Sequence, residues 1–296
     1  MNGVICCRCS PLQKTEIVKK IKYYTGLRVA AIGDGGNDVG MIQEADVGIG
    51  IVGKEGKHAS LAADFSIEQF NTISRLLFWH GRLSYIRTAL LAQFVVHRGL
   101  IVAAVQAIFI FMFYFCSIPV FNPYLLLGYA TYYTFLPVFC LVFDRDVDNE
   151  EIVFKFPNLY QTLQKGRLLS TRTILIWTTQ SLYQGVLVML SAVLLFEDSF
   201  VDILSINFTA LMMIELLNLY TVLKKPNWLI YGCLILSFGV YLASIWIFKD
   251  YFNASSINKE FILKAFLIAF ASWAPVHIIS CMFKKLDPSD AAKIQR

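Results

Sequence analysis

Charge is scarce in this chain. Only 16% of its 296 residues are Asp, Glu, Lys or Arg, against about 25% in an ordinary soluble domain. The hydrophobic share runs the other way, at 57% with a mean hydropathy of +0.58, above the usual range of about 45–50%. A 15% aromatic content excludes a disordered or collagen-like chain. The net charge of +5 makes no case for nucleic acid as a partner. Seven cysteines are scattered, four of them inside apolar runs, which excludes a disulfide framework and suits reduced or buried thiols. No apolar run lies near Met1, so no secretory signal is expected and the first segment should begin in the cytosol. Heptads, longer repeats and low-complexity tracts are also missing.

What is present divides unevenly. Residues 1 to about 87 read as a soluble head rich in Lys, Glu and Asp, and residues from about 89 to 283 form a series of long apolar runs. A spanning helix needs about 20 largely apolar residues. Six runs meet that length: about 89–116, 124–143, 173–196, 200–222, 228–248 and 261–283. Lys and Arg concentrate in the head, in the 144–172 loop, at Lys224-Lys225 and in the tail. The opposite loops carry none until Lys249, Lys259 and Lys264. That asymmetry puts both termini in the cytosol. The sequon at Asn253 would then lie on the far side, too close to the bilayer to be used.

The head alternates strand and helix patterns, which predicts a parallel sheet with its ligands at the carboxyl ends of strands. Residues 4–9 read as a first strand. Ser10, Pro11 and Gln13 give a helix start with a capping box, and Gly26 gives its stop. Residues 29–32 and 47–51 read as two further strands, with a short helix over 38–45 between them. Cys6 and Cys9 have a C-x-x-C spacing, but on a strand they face opposite ways, so they read as structural, buried thiols.

Gly33-Asp34-Gly35-Gly36-Asn37-Asp38 closes the second strand and runs into a helix start. Gly-Asp-Gly alone is an ordinary turn. Here glycines allow close backbone approach, helix N–H groups favour anions, and Asp34 and Asp38 are hard oxygen ligands suited to Mg²⁺. Lys14, in the first turn after Pro11, is placed to steady a transferring phosphoryl group.

Ser10-Pro11-Leu12-Gln13-Lys14, the Gly33 to Val39 loop and Met41-Ile42-Gln43-Glu44-Ala45 together resemble the phosphorylation domain of P-type ATPases. The likeness is greatest to the type IV branch, the phospholipid flippases. Gly53-Lys54-Glu55-Gly56-Lys57, Ala62-Ala63-Asp64-Phe65 and His80-Gly81-Arg82 with Ser84-Tyr85 extend the match. The resemblance implies an α/β Rossmann-like, HAD-type partial phosphorylation domain followed by an all-α six-helix transmembrane bundle. Its implied boundaries are 1–68 for the phosphorylation domain, 69–88 for a stalk, 89–285 for the spans and 286–296 for a tail. It implies ATP as substrate and Mg²⁺ as cofactor. Asp34 and Asp38 would hold the metal, and Lys14, Asp34 and Asp38 would be catalytic. Arg8, Lys14, Asn37 and Asp38 would contact nucleotide or phosphate.

The family's phosphorylated Asp sits in Asp-Lys-Thr-Gly-Thr, and this sequence has no such segment. The chain therefore reads as the C-terminal part of a longer pump, inactive alone, that moves phospholipid towards the cytosolic leaflet. Gly36 in the loop, and Arg98-Gly99 preceded by His97 where many flippases carry Lys-Asn, resemble the branch that works without an accessory glycoprotein subunit. That branch implies an endomembrane setting, Golgi or endosome. Charge within a span is a functional signal by default, which makes His97, Arg98, Glu215 and Asn218 candidates for a lipid path, with an interhelical ion pair or snorkelling as the structural alternative. A cation pump would need carboxylates in the first two spans, and those spans have none. A membrane-tethered phosphatase-like protein would need a nucleophilic Asp ahead of the loop, and residues 1–33 contain no Asp. A non-catalytic remnant or isoform is the remaining alternative.

Overall fold

The computed structural model describes residues 3–52, 57–115, 118–147, 149–156, 158–161, 163, 168–195, 200–225, 228–247, 258–286 and 293. Residues 53–56 of the family match, the Asn253 sequon and most of the tail lie outside these. The chain forms two compact units, Met1–Gly81 and Arg82–Arg296.

In the first unit, helix α1 (Pro11–Thr25) starts where the capping signal places it. The Ser10 hydroxyl accepts from the Gln13 N–H and the Gln13 side chain accepts from the Ser10 N–H, at 3.3 and 2.8 Å. Gly26 ends the helix at φ 63°, the left-handed conformation that favours glycine. Strands β1 (Ala30–Gly33), β2 (Val47–Ile51) and β3 (Phe65–Ile67) make a parallel sheet in the order β1-β2-β3. Ala30 pairs with Val47 and Ile49 with Phe65. Short helices α2 (Val39–Glu44) and α3 (His58–Ala62) make the crossovers. Asp46 fixes the start of β1: its carboxylate accepts the Val29 N–H at 2.9 Å and one from Arg28 at 3.2 Å. These bonds hold its carboxyl below the ordinary Asp range, the Val29 contact contributing most.

Residues 4–9 are not a strand. A strand is held by pairing, and among the described residues this segment has no partner in the sheet. Arg8 also turns the backbone to φ 54°. Val4 and Ile5 are exposed, as are Cys6 and Cys7, with Cys9 half-buried. The expectation of buried structural thiols fails for the same reason, since it assumed a paired strand.

Among the described residues, six helical segments are long and apolar enough to cross a membrane: Phe70–Met112, which begins in the first unit, then Pro123–Phe143, Thr171–Leu195, Asp202–Val222, Trp228–Ile247 and Lys259–Leu286. Helix α4 (Arg82–Met112) carries the first, and ends earlier than residue 116 because Tyr114 and Phe115 have left-handed φ values of 51° and 60°. The second segment is not one regular helix. After α5 (Pro123–Gly128) come π-helical turns over Tyr129–Tyr133, α6 (Phe135–Phe139) and a 3-10 turn over Cys140–Phe143. Pro137 explains part of the break. It lacks the N–H that the Tyr133 carbonyl would accept, and the Ser237 hydroxyl donates to that carbonyl instead. A freed carbonyl inside a bilayer needs such a partner.

Beyond the 144–172 loop, with α7 (Glu150–Lys155) and α8 (Asn158–Gln161), lie α9 (Thr171–Leu195), α10 (Phe200–Val222), α11 (Trp228–Ile247) and α12 (Lys259–Leu286). Helix α10 is the core of the bundle: 72% of its apolar window is buried, against 17% for α12. Phe208 of α10 shares one core cluster with Phe109, Tyr133, Met189 and Tyr241. Helices α4 and α9 pack closely at Gly185, where a Cβ would stand 2.5 Å from Ala104 Cβ. At the Arg82 end, Arg82 pairs bidentately with Asp146 at 2.9 and 2.5 Å, both side chains 3% exposed. Asp144 accepts the N–H groups of Lys224 and Lys225 at 3.1 and 3.0 Å. These two carboxylates pin the loop after the second span to the start of α4 and the end of α10.

Candidate functional site

The first unit gathers its candidate residues at the carboxyl end of β1. The chain leaves Gly33, passes Asp34 and Gly35, and enters a 3-10 turn (Gly36–Asp38) that leads into α2. A Cβ on Gly33 would lie 2.3 Å from Asp38 Cβ, so only glycine lets the turn fold back and seat Asp38 against the strand end. Asp38 is buried, and Lys14 Nζ reaches it from the first turn of α1 at 2.7 Å. The hydrogen bond to Asp38 holds the Lys14 ammonium above its ordinary range, against an opposing desolvation effect.

Lys14, Gly33, Asp34 and Asp38 line one open cavity of about 570 Å³. Asp34 is exposed within it and Asn37 is exposed beside it on the turn. Arg8 and Asn37 do not line the cavity. The turn uses two of its own donors, with Asp38 N–H on Gly35 O and Val39 N–H on Gly36 O. Among the described residues no group of three or more His, Cys, Asp or Glu converges on one point. Two carboxylates with open space around one of them suit Mg²⁺, which keeps waters and takes phosphate oxygens as further ligands. The glycine cradle at Gly33 keeps Asp38 within the same cavity as Asp34, so the residues fit that ion.

The four candidates inside the spans fall into two groups. His97, from α4, and Asn218, from α10, belong to a buried polar network with Ser181 and Gln184 of α9. Asn218 Nδ2 donates to His97 Nε2 at 3.0 Å and to Gln184 Oε1 at 2.9 Å, and Gln184 Nε2 donates to Asn218 Oδ1 at 3.1 Å. Because Nε2 accepts, the His97 proton sits on Nδ1 and donates to Ser181 Oγ at 2.5 Å. Ser181 in turn donates to the Trp177 carbonyl at 2.7 Å. The network is closed on itself and ties three spans together.

Arg98 points elsewhere. Its Nη1 donates to Thr134 Oγ1 at 2.6 Å, at the foot of the π-helical turns, and its guanidinium carbon lies 5.7 Å from the Tyr129 ring centre. Thr134 passes its own proton to the Tyr129 carbonyl at 2.6 Å. Glu215 is buried on α10, near Tyr129 and Arg98. Sequence reasoning missed Ser181, Gln184, Tyr129 and Thr134. Uncharged polar residues in an apolar run give no signal of a partner dozens of residues away.

The model for "Phospholipid-translocating P-type ATPase C-terminal" matches residues 60–288. The chain is 48% identical over 293 residues to a probable phospholipid-transporting ATPase IIB of Bos taurus, covering 99% of this chain and 26% of that protein. It is 47% identical to the probable phospholipid-transporting ATPase tat-5 of Caenorhabditis elegans, covering 99% and 27%. With the phospholipid-transporting ATPase NEO1 of Saccharomyces cerevisiae the identity is 42%, over 99% and 26%. The chain thus spans about a quarter of the length of the curated relatives it matches.

Proposed function

This chain belongs to the phospholipid-translocating P-type ATPase family, and from that premise we propose that it forms the C-terminal part of an ATP-driven phospholipid flippase. The first unit is read as a HAD-type partial phosphorylation domain, and residues 69–88 as the stalk that carries its motion to the spans. Transport runs towards the cytosolic leaflet through an aspartyl-phosphate formed on a segment this chain does not contain. Both termini face the cytosol of an endomembrane, and no accessory subunit is required.

The observation that carries the reading is the Lys14–Asp38 contact of 2.7 Å beside Asp34 in the β1 loop. Lys14 offers a positioned ammonium to a phosphoryl group, and preorganised charge of this kind stabilises a transition state without reorganisation. Asp34 and Asp38 would hold Mg²⁺, which supplies charge neutralisation on phosphoryl oxygens when bound. Asp38 also orients Lys14. Arg8 and Asn37, outside the cavity lining, are read as nucleotide or phosphate contacts. In the spans, Arg98 is the residue for a phospholipid headgroup, because it is half-buried and its fork of donors suits a phosphate. His97 and Asn218 serve packing.

The test is a chimera in which this chain replaces the matching segment of one of its relatives. Asp38→Asn should lower Mg²⁺-dependent phosphoenzyme turnover by about 10²-fold while membrane insertion is retained. Turnover unchanged by Asp38→Asn and by Lys14→Ala would refute the assignment.

A further inference from the structure

Residues 89–112, 123–143 and 203–222 contain two charged side chains, Arg98 and Glu215. They lie at one place in the bundle with Tyr129. Glu215 is 2% exposed, and neither of its carboxylate oxygens accepts a hydrogen bond from any described residue. The Tyr129 hydroxyl, also buried, faces this carboxylate without closing a bond of normal geometry. A buried carboxylate whose nearest hydroxyl closes no bond of normal geometry is strongly unfavourable unless it takes up a proton or meets a cation.

Arg98 is the group placed to match it. A guanidinium has five N–H donors, and Thr134 takes one of them. The Tyr129 ring lies under the guanidinium, and its π face gives a moving cation a favourable surface. Nothing is orphaned when Arg98 leaves Thr134, because the threonine hydroxyl keeps its own bond to the Tyr129 carbonyl.

We propose that Glu215 is the internal counter-charge of Arg98. The guanidinium has two seats: the Thr134 hydroxyl, where the structure holds it, and the Glu215 carboxylate, reached across the face of Tyr129. An anionic phosphate headgroup competes with Glu215 for the same cation. Glu215 thereby sets how tightly Arg98 is withheld from ligands, as a positioning residue that does not touch lipid. This last step rests on the reading of Arg98 as the headgroup contact; the pairing itself does not.

The test uses the whole chain in phosphatidylcholine nanodiscs, with unfolding midpoints for Arg98→Gln, Glu215→Gln and the double variant. An unmatched carboxylate predicts that Glu215→Gln raises the midpoint whatever stands at 98. The counter-charge predicts a change of sign: Glu215→Gln lowers the midpoint with Arg98 present and raises it in the Arg98→Gln background. The same sign in both backgrounds overturns the proposal. Glu215→Asp, which keeps the charge, should restore most of the native midpoint; a loss equal to that of Glu215→Gln also overturns it. A second arm titrates phosphatidylglycerol into the nanodiscs. Glu215→Gln should increase the apparent affinity by about threefold or more, and Arg98→Gln should abolish the response. An affinity in Glu215→Gln equal to or below the native one overturns the competition. A sign change with no phosphatidylglycerol response in any variant upholds the pairing and removes Arg98 from the headgroup contact.

Discussion

Replacing Asn218 with leucine, a side chain of similar size, removes three hydrogen bonds without opening a large cavity. Two of these join Asn218 and Gln184, and the third goes to His97. The substitution leaves Gln184 Oε1, Gln184 Nε2 and His97 Nε2 unpaired at positions that are fully buried. In a water-soluble core each orphan would cost about 1–3 kcal/mol. In a bilayer the unfolded helices also find partners, and hydrogen bonds between membrane helices average about 0.6 kcal/mol. Three bonds at that value put the loss near 2 kcal/mol. Titrating the chain from mild-detergent micelles into denaturing ones measures it. His97→Leu supplies the control, since one of its two hydrogen-bond partners is already gone in the Asn218→Leu background while Ser181 remains. The pair should therefore be sub-additive by roughly 0.5–1 kcal/mol. A loss below about 0.5 kcal/mol, or strict additivity with His97→Leu, would mean that the network does not tie the spans together.

Further outcomes follow from local geometry. Asp46, whose carboxyl is held below the ordinary range, adds stability that is present above its unfolded value of 3.8 and lost as pH falls through its folded value. Protection of the Val29 amide against hydrogen exchange should fall over that acid window in the native chain and be low and flat in Asp46→Ala, which removes the acceptor. Lys14 behaves in the opposite sense. Its contribution is full below 10.5 and fades as pH rises through its raised folded value, so the midpoint difference between native and Lys14→Met should vanish only at strongly alkaline pH. Gly185→Val should cost about 1–3 kcal/mol through the clash with Ala104 and the Ile101 carbonyl, read by the same micelle titration. Ser237→Ala strips the donor from the Tyr133 carbonyl and should cost about 1 kcal/mol; amide exchange at residues 135–139 would rise with it.

Local signals in the sequence were reliable where the structure is decided locally. The capping box at Ser10 and the stop at Gly26 set α1, β2 spans the residues its pattern predicts, and six apolar runs became six spanning segments. The failures share one cause, dependence on a partner. Residues 4–9 have strand composition and, among the described residues, no neighbouring strand. The second span has the right length, but its path is set by Pro137 and by a hydroxyl on α11. The site divides in the same way. The meeting of Lys14, Asp34 and Asp38 in one cavity was legible because turn and helix-start chemistry fixes them within short segments. The sorting of His97 and Asn218 from Arg98 and Glu215 was not, since it depends on Ser181 lying 84 residues from His97 and on Thr134 lying 36 from Arg98. Spacing within one helix carries no information about such contacts.

We propose that the Lys14, Asp34 and Asp38 cluster powers lipid movement through these spans. The most direct measurement is inward movement of a fluorescent phospholipid in liposomes holding the chimera, read by chemical quenching of the outer leaflet. Transport should depend on ATP and Mg²⁺, should be abolished by Asp38→Asn, and should be slowed by Arg98→Gln while phosphoenzyme formation persists. Transport that survives Asp38→Asn, or ATP turnover in the chimera with no lipid movement, would contradict it.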